Sequence, residues 1–452
     1  MDGRLRVAIN AQIMPGTGTG GIETVLRALT ALARLEGGAE EYVFVGPHDD
    51  PDWLRDLLPP GQQVVRGPAP APPGEWKVDR LEPFKRALGP LRPAARGVRR
   101  FISYAATGNT PATTAAPAGL AARHEPKNFY ERLGCDVIHF PFQYFETSAR
   151  PSVYNPHDLQ HLHHPEFFAP EEVTRRETLH RAACRAARTV VVASEFVKRD
   201  VVGSYGVSHA KVQVIPWAPP PLTEAARRSA EESVPAVREK FRLGDSPFAL
   251  YPAMTWEHKN HLRLLESLAI LRDRERLEVR VVCTGFKTDF WPRVERRVSE
   301  LGLESQVKFP GLVSQEDLGA LYRAAQFVFI PTLFEAASAP MFEAWQHGTP
   351  VACSSVTSLP EQAGGAALLF DPASAEEIAD ALARMTTFQA LREELSQRGT
   401  RRLEDFRLER TAKAYRAVYR RAAGLALDAE DLALLDWDWT RETRGEVEAR
   451  GA

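Results

Sequence analysis

Short runs of apolar residues recur along this chain and are separated by turn residues or by stretches with helical spacing. The runs are too short for buried helices and show no helical period, so they predict buried strands. In the first half of the chain they cover 5–9, 42–45, 136–140, 152–155, 189–193 and 212–215. In the second half they cover 248–251, 279–284, 306–309, 327–330 and 350–353.

The stretches between these strands predict helices. Ser194 is a suitable N-cap for the helix that follows strand 189–193, because its hydroxyl can accept a bond from a free backbone N–H. The other predicted helices lie around 23–35, 170–187, 317–325, 373–385 and 412–421. Strands that alternate with helices predict an α/β fold of doubly wound parallel sheets.

The length of 452 residues exceeds what one ordinary core accommodates and predicts two or three domains. A content of 44% hydrophobic and 26% charged residues is typical of a globular protein rather than a disordered one. Three consecutive prolines begin at Pro219, and the Ala, Arg and Glu residues that follow them indicate a linker. We therefore predict a first domain over 1–216, a linker over 217–247, a second domain over 248–405 and a terminal segment over 406–452.

Charge and cysteine usage exclude several classes of protein. A net charge of −2 gives no indication of a nucleic-acid partner. The four cysteines are far apart and none forms a CxxC pair, which argues against a zinc ribbon or a disulfide framework and fits a reducing compartment. No apolar run approaches the roughly 18 residues that span a bilayer, and the N-terminus lacks an apolar signal core. These features predict a cytoplasmic protein.

Residues 67–127 form an insert that is rich in Pro and Ala at both ends and basic between them. From 76 to 105 basic residues outnumber acidic ones, and Val98, Phe101, Ile102 and Ala105 follow the i, i+3, i+4, i+7 spacing. This pattern is typical of an amphipathic element on an anionic membrane, and a lid packed on the first domain is an equal alternative. The first alternative predicts peripheral contact with the inner face of the membrane.

The stretch 329–354 predicts a strand, a loop, a short helix and a second strand. Pro340 suits the first turn of the helix, where a missing N–H has no cost, and Gly348 suits the position after its last turn. Glu335 lies on the loop and Glu343 lies eight positions later in the helix. The loop residues between Glu335 and Pro340 are small, so a ligand can approach the backbone, and the helix N-terminus favours an anion.

This Glu-x7-Glu pattern, followed by Gly348-Thr-Pro-Val-Ala-Cys-Ser354, resembles the donor-site motif of the retaining nucleotide-sugar glycosyltransferases called family 4. The resemblance implies the GT-B fold, with two Rossmann-like domains facing a cleft and a C-terminal helix that crosses back to the first. It implies that Glu335 contacts the sugar and Glu343 the ribose. It also implies that the pyrophosphate lies at the helix N-terminus, formed by Ser338, Ala339, Pro340 and Met341.

Other motifs extend the resemblance over both domains. Trp256-x-His-Lys-Asn-His261 is similar to a mannosyltransferase-containing branch of the family, in which the residue at Lys259 binds the pyrophosphate. Asn260 belongs to the same motif, and His258 replaces the more common Arg, which implies a weaker or pH-dependent phosphate contact. The resemblance further implies that the backbone near Val313 meets the base, and it extends to three first-domain motifs. Gly20-Gly21-Ile22-Glu23 would approach the donor phosphate or the acceptor, and His157-Asp158-Leu159 lies at the cleft end of a strand, so that His157 would lie beside the reacting sugar; Ser194-Glu195-Phe196 also matches a family motif.

Two other patterns indicate different chemistry. His157, His161, His163 and His164 have the composition of a metal cluster, but no Cys or carboxylate partner is evident and Pro165 interrupts a helix that would align them. Gly16, Gly18 and Gly21 fit the GxGxxG fingerprint of dinucleotide-binding proteins, although no acidic residue closes the next strand as expected. Asp436-Trp437-Asp438 resembles an Asp-x-Asp metal site but is expected to be a surface segment of the tail.

The resemblance implies a retaining transfer of a hexose from a nucleotide-sugar to a saccharide or lipid-linked saccharide, in surface polysaccharide or glycolipid synthesis. It gives GDP-mannose a slight lead as donor and implies that neither a metal nor another cofactor is required. Two alternatives remain at this point, a nicotinamide-dependent oxidoreductase using the glycine loop and a non-catalytic sugar-nucleotide-binding protein of the same fold.

Overall fold

The computed structural model describes residues 4–13, 20–69 and 128–440. Its first domain is built on a parallel sheet of seven strands in the order β3-β2-β1-β4-β5-β6-β7. The strands are β1 (Leu5–Asn10), β2 (Glu40–Gly46), β3 (Gln63–Arg66), β4 (Val137–Phe140), β5 (Ser152–Tyr154), β6 (Thr189–Val192) and β7 (Val212–Val214). The order reverses between β1 and β4, which makes the sheet doubly wound.

Helices cover both faces of this sheet, as its apolar strands require. In β1, Val7 and Ile9 pack on one face and Ala8 packs on the other, and all three are fully buried. The α-helices of this domain are α1 (Gly20–Thr30), α2 (Phe129–Arg132), α3 (Gln160–His163), α4 (Pro170–Ala186) and α5 (Glu195–Tyr205). Short 3-10 helices occupy Ala31–Arg34, Pro51–Leu57, Pro165–Phe167 and His209–Lys211.

The second domain has a parallel sheet of six strands in the order β10-β9-β8-β11-β12-β13. Its strands are β8 (Ala249–Pro252), β9 (Val281–Thr284), β10 (Val307–Gly311), β11 (Phe327–Ile330), β12 (Val351–Ser354) and β13 (Ala367–Phe370). Its helices are α6 (Glu224–Glu232), α7 (Val234–Lys240), α8 (His261–Ile270), α9 (Trp291–Glu300), α10 (Gln315–Ala324), α11 (Ala339–Gln346), α12 (Leu359–Ala363), α13 (Ala375–Thr387) and α14 (Gln389–Arg402). Shorter helical turns occupy Glu257–Lys259, Leu271–Glu275 and Leu403–Phe406. The two sheets confirm the predicted α/β class with two Rossmann-like domains.

The helix α15 (Leu408–Ala423) returns to the first domain and confirms the predicted crossing; α16 (Ala429–Leu435) follows it. Two tyrosines of α15 bind polar side chains that are buried at the sheet of the first domain. The Tyr419 hydroxyl is 2.8 Å from Nδ1 of His139, and the Tyr415 hydroxyl accepts from Nδ2 of Asn155 at 2.9 Å. The apolar face of α15 packs into the same core cluster as β1 and α1. The C-terminal segment therefore completes the core of the first domain.

The stretch 217–247, expected as a linker, contains the two helices α6 and α7. Thr223 caps α6 by accepting a bond from the N–H of Ala226 at 3.1 Å. Both helices pack on α10 of the second domain, and Lys240 donates to Asp317 at 2.6 Å. Proline content at 219–221 masked the helical propensity of the Ala, Arg and Glu residues that follow. Strands β3 and β13 and helix α14 were also not predicted.

Several sequence predictions fall on residues outside the described ranges. These are the glycines at 16 and 18 and most of the insert, including 76–105. Among the described residues no helix is long and apolar enough to cross a membrane. All four cysteines are buried and unpaired.

Candidate active site

Most of the predicted site residues of both domains lie just beyond the carboxyl ends of parallel strands, where ligands bind in folds of this kind. His157 and Asp158 follow β5, and Gly20 and Gly21 open α1 after β1. The remaining residues belong to the second domain. They follow β8 (His258, Lys259, Asn260), β10 (Val313) and β11 (Glu335, Ser338, Ala339, Pro340, Met341, Glu343).

The structure brings Lys259 and Glu335 into direct contact, with the ammonium donating to Oε1 of the carboxylate. Only 19% of the Lys259 side chain and 16% of the Glu335 side chain are exposed, so the pair is largely shielded from water. Asn260, with φ of 61°, forms the turn that presents Lys259. Its amide donates to the carbonyls of Pro331 and Pro372 at 2.9 and 3.0 Å. Both donors of the Asn260 side chain are therefore occupied and fix the turn that presents Lys259, and its predicted contact with the substrate stays a prediction.

Three influences set the pKa of Glu335. Burial raises this pKa, the nearby Lys259 ammonium lowers it, and the negative charge of Asp158 raises it further. The influence of Asp158 shows that the first domain contributes charge to the site across the cleft. Lys259 is therefore the cation that counters the cost of a buried Glu335 carboxylate.

The main chain of Glu335 is held by two hydroxyls from the loop after β12. Thr357 accepts from the Glu335 N–H at 3.1 Å and donates to its carbonyl at 2.7 Å. Ser358 donates to the same carbonyl at 2.8 Å. Thr357 has a φ of 54°, a conformation that L-residues rarely adopt, so its placement is imposed by these contacts. Sequence reasoning missed Thr357 because no pattern links it to a loop 22 positions earlier.

Helix α11 begins at Ala339, next to Glu335, and its N-cap residue Ser338 makes no capping bond with its side chain. The Ser338 main chain is instead held by Gln362, which accepts from its N–H and donates to its carbonyl, both at 2.7 Å. The N–H groups of Ala339 and Met341 have no acceptor within the helix, and Pro340 has no N–H. The end of the helix is thus a fixed, uncapped set of donors suited to an anion.

Glu343 lies one turn further along α11. Its Oε2 accepts a hydrogen bond from the Tyr322 hydroxyl at 2.6 Å, and burial raises the pKa of its carboxyl group. Within the part of the chain that the structure describes, its second oxygen takes no protein donor. Tyr322, which the sequence analysis did not single out, therefore orients Glu343 and leaves one oxygen for a ligand hydroxyl.

His157 is buried and has a φ of 66°. Its Nε2 lies 2.7 Å from the carbonyl oxygen of Pro141, so this nitrogen carries the proton and Nδ1 is the acceptor in the neutral ring. Burial lowers the pKa of His157, although the Pro141 carbonyl and Asp158 oppose this effect. A neutral imidazole with a fixed tautomer can accept a hydrogen bond from a hydroxyl group. Asp158 accepts from the N–H of Gln160 at 3.0 Å.

His258 differs from its expected behaviour. Burial and the adjacent Lys259 lower its pKa to about 2, so the ring is neutral throughout the physiological range in this state. The backbone carbonyl of His258 accepts from the Leu333 N–H at 2.8 Å and from the Thr332 hydroxyl at 3.1 Å. A neutral His258 cannot supply a charge-assisted phosphate contact, and it does not titrate near neutral pH in this state. The lowered pKa argues against a change of charge on His258 near neutral pH, and its phosphate contact stays a prediction.

The histidines near His157 have separate partners. His163 Nε2 lies 2.8 Å from Asp200, His164 Nδ1 lies 3.0 Å from Glu166, and His161 stacks on His180. No group of three His, Cys, Asp or Glu side chains able to hold a metal occurs within the described ranges.

Val313 lies beyond β10, where exposed apolar side chains follow two neighbouring strands. Leu312 is 75% exposed and Phe286, which follows β9, is 58% exposed. Gly285 allows this arrangement because its φ is 121° and a Cβ there would lie 2.7 Å from the Ala253 carbonyl. Phe286 and Leu312 are exposed apolar side chains at the same end of the sheet. The sequence did not predict their exposure, because a single apolar residue in a loop forms no periodic pattern.

Comparison with known families agrees with this geometry. Residues 19–218 match the family model described as Glycosyltransferase Family 4, and residues 234–402 match the one described as Glycosyl transferases group 1. The chain belongs to the family 4 glycosyltransferases, as its donor-site motif predicted. The comparisons do not favour the dinucleotide oxidoreductase or the non-catalytic alternative.

Characterised relatives include several mannosyltransferases. The chain is 26% identical over 290 residues to O-antigen chain mannosyltransferase B of Escherichia coli. The matched region covers 62% of this chain and 74% of that relative. The chain is 33% identical over 165 residues to the MMP alpha-(1->4)-mannosyltransferase of Mycolicibacterium hassiacum, covering 35% of this chain and 39% of that relative.

Solved structures share the fold at low sequence identity. The Anabaena protein HepE in complex with UDP and glucose superposes with a TM-score of 0.63 at 15% identity, covering 92% of this chain and all of the other. WaaG, described as a glycosyltransferase involved in lipopolysaccharide biosynthesis, has a TM-score of 0.59 at 14% identity, with the same coverage. These neighbours are GT-B glycosyltransferases, so they support the fold assignment.

Proposed function

We propose that this glycosyltransferase moves a hexose, with retention of configuration, from a nucleotide-sugar to a saccharide or lipid-linked saccharide acceptor. The observation that carries the proposal is the contact between Lys259 and Glu335 beside the uncapped N-terminus of α11. A cation beside uncapped backbone N–H groups is suited to binding a diphosphate, and the adjacent carboxylate is suited to accepting from sugar hydroxyls, which supports the proposal.

Each part of the donor has a group suited to it. Lys259 has three N–H donors, so it can keep its contact with Glu335 while donating to a phosphate. The free oxygen of Glu343 would accept from a ribose hydroxyl. The apolar surface of Phe286 and Leu312 would cover a face of the base, next to the backbone at Val313.

The proposed reaction needs no nucleophile from the protein. The bond between the anomeric carbon and the leaving phosphate oxygen breaks, and the acceptor oxygen bonds to that carbon on the same face. The acceptor proton passes to the leaving diphosphate. Lys259 and the N–H groups of α11 would stabilise the charge that develops on this diphosphate, while His157 Nδ1 would position a hydroxyl of the sugar or the acceptor.

The donor proposed first is GDP-mannose, because the relatives named above transfer mannose. A UDP-sugar is the second candidate, because the HepE structure contains UDP and glucose. Surface polysaccharide or glycolipid synthesis follows as the proposed setting from the O-antigen relative. Independence from metal is part of the proposal, and unchanged turnover in the presence of EDTA is the expected result.

A thermal-shift screen with GDP, UDP, ADP, dTDP and NAD(H) tests the donor site. A ligand at a hundred times its dissociation constant should add about 2.7 kcal/mol of stability. We expect one nucleoside diphosphate to stabilise the protein and its mannose or glucose conjugate to be consumed when a saccharide acceptor is added. A shift with NAD(H) alone would overturn the proposal.

A further inference from the structure

Helix α12 links the donor loop, defined here as residues 335–338, to the first domain. Its side chains and the loop before it contact both ends of the donor loop. Thr357 and Ser358 bind the main chain of Glu335, and Gln362 binds the main chain of Ser338. Any displacement of α12 would therefore move the donor loop with it.

Glu361 lies on the same short helix and reaches across the cleft. Its Oε2 accepts from the Glu195 N–H at 2.8 Å, and its Oε1 accepts from Arg199 at 3.1 Å. The N–H of Phe196 also contacts this carboxylate. Glu195, Phe196 and Arg199 lie in the first two turns of α5 in the first domain. The Ser194 side chain caps this helix by accepting from the Val197 N–H, which leaves the N–H groups of Glu195 and Phe196 to Glu361. Burial raises the pKa of the Glu361 carboxyl group, and the N–H groups at the start of α5 and the Arg199 guanidinium oppose this effect.

A second contact joins α5 directly to the residue that precedes the donor loop. Phe334, which immediately precedes Glu335, is 3% exposed and packs edge to face against Phe196, with the two ring centroids 6.1 Å apart. The ring of His163 lies 5.5 Å from Phe334 on the first-domain side. The donor loop is thus flanked by two contacts, one apolar and one ionic, that both end at the start of α5.

The fold keeps α12 itself rigid. Arg402 is fully buried, pairs with Asp405 at 2.9 Å and donates to the carbonyls of Glu361 and Gln362 at 2.8 and 3.2 Å. Gly364 ends the helix with a φ of 51°, and a Cβ there would lie 2.8 Å from the Arg402 guanidinium. The Glu361 side chain therefore extends from a fixed base.

We infer that Glu361 is a positioning residue for transfer. By accepting from the first N–H groups of α5, it holds the donor loop at a fixed distance from the first domain, so that Glu335 and His157 face one substrate. The role rests on the proposed function, because it concerns the alignment of donor and acceptor. It does not require Glu361 to contact either of them.

Replacement of Glu361 tests this role by separating turnover from donor binding. Glu361→Ala removes both contacts and should lower kcat for transfer by about tenfold or more, because a small misplacement of reacting groups has effects of this size. The dissociation constant of the nucleoside diphosphate should change by less than about twofold, because the donor is held mainly within the second domain. Glu361→Gln keeps an acceptor oxygen for the Glu195 N–H and should recover part of the loss.

Arg199→Ala is the matched control. The Arg199 side chain is 64% exposed. Its removal breaks the ion pair with Glu361 and leaves the contact between Glu361 and the Glu195 N–H in place. Exposed ion pairs contribute little, so kcat should stay within about twofold of wild type. An equal loss in Arg199→Ala and Glu361→Ala would show that the ion pair rather than the helix contact carries the effect, and would overturn the inference.

The distance between the domains gives a readout that is independent of catalysis. All four native cysteines are buried, so spin labels can be placed on cysteines introduced at the exposed positions Glu171 and Glu304. Double electron–electron resonance between these two labels should show a broader distribution of distances in Glu361→Ala than in wild type. Unchanged distances together with unchanged kcat would overturn the inference. If wild type bound no nucleoside diphosphate, the proposed function would fail, while the distances would still decide whether Glu361 joins the domains.

Discussion

The two sides of the cleft hold their candidate residues in different ways. On the second-domain side, side chains fix the main chain around Lys259 and Glu335 through Asn260, Thr357 and Gln362. On the first-domain side, His157 is anchored by one bond to the Pro141 carbonyl. The donor side is therefore preorganised around fixed donors and charges. The first-domain side, which we propose to bind the acceptor, holds His157 with fewer contacts.

The largest expected effect is on the donor side. Glu335→Gln and Lys259→Ala should each reduce transfer by roughly 10²- to 10³-fold, because each removes a fixed group that stabilises charge in the transition state. Initial-rate measurements of transfer provide the test, with thermal unfolding as the check that the fold is intact. Near-normal turnover in either variant would show that the site is assigned wrongly.

His157→Asn tests the first-domain side. Asn tolerates the positive φ of this position, so the backbone should be retained while the imidazole is lost. We expect kcat to fall roughly 10²-fold through misplacement of the sugar or the acceptor hydroxyl. Titration calorimetry should give an unchanged affinity for the nucleoside diphosphate. A weakened affinity instead would place His157 in the donor site and remove the contrast between the two sides.

Gln362→Ala tests whether preorganisation of the donor loop matters for binding. The change leaves the N–H and carbonyl of Ser338 without partners in a site that is 1% exposed. We expect a loss of about 2 kcal/mol in unfolding free energy and an affinity for the nucleoside diphosphate about tenfold weaker. Gln346→Ala is the control, because Gln346 ends α11 but donates to the Pro220 carbonyl, and the change should leave affinity unchanged. Equal effects of both changes would argue against a specific role for Gln362.

Buried histidines predict a pH dependence of stability in both domains. Burial lowers the pKa of His139 in the first domain to about 4 and that of His261 in the second to about 3. In the unfolded chain each imidazole has a pKa near 6.5 and below that pH binds more protons than in the folded state, so these two residues lower the unfolding free energy as the pH decreases from 7.5 to 5. Each residue should account for about 2 kcal/mol of this loss at pH 5.

Urea unfolding at pH 7.5 and pH 5 measures this dependence. His261→Gln should reduce the difference between the two pH values by about 2 kcal/mol. His209→Gln changes an exposed side chain and should leave the difference as it is in wild type. A difference between the two pH values that is the same in His261→Gln as in wild type would show that His261 is not held neutral by burial.

Local patterns predicted the elements whose residues carry their own signal. The strand Phe327–Ile330 was predicted to the residue, and Ser194 caps α5 as expected by accepting from Val197. Gly348 has the positive φ that its place after α11 requires. In each of these cases the deciding interaction is local or depends on a short apolar run.

Contacts between distant segments could not be predicted in this way. Asn260 belongs to a motif that suggests ligand binding, yet its amide is taken up by Pro331 and Pro372, which only the folded chain brings near it. Thr357 and Gln362 act on a loop more than twenty positions earlier. The resemblance to family 4 predicts which residues face the donor, and the structure adds the contacts that hold the main chain around Lys259 and Glu335.

The return of α15 to the first sheet has a consequence for how proteins of this kind can diversify. Because Tyr415 and Tyr419 bind Asn155 and His139, the helix that follows the second domain in sequence is matched to the core of the first domain. A recombination event that exchanged the donor half at a single crossover would leave the acceptor half with a foreign helix in its core. New pairings of donor and acceptor specificity would therefore arise more readily by two crossovers, or by substitution within loops, than by simple fusion of halves.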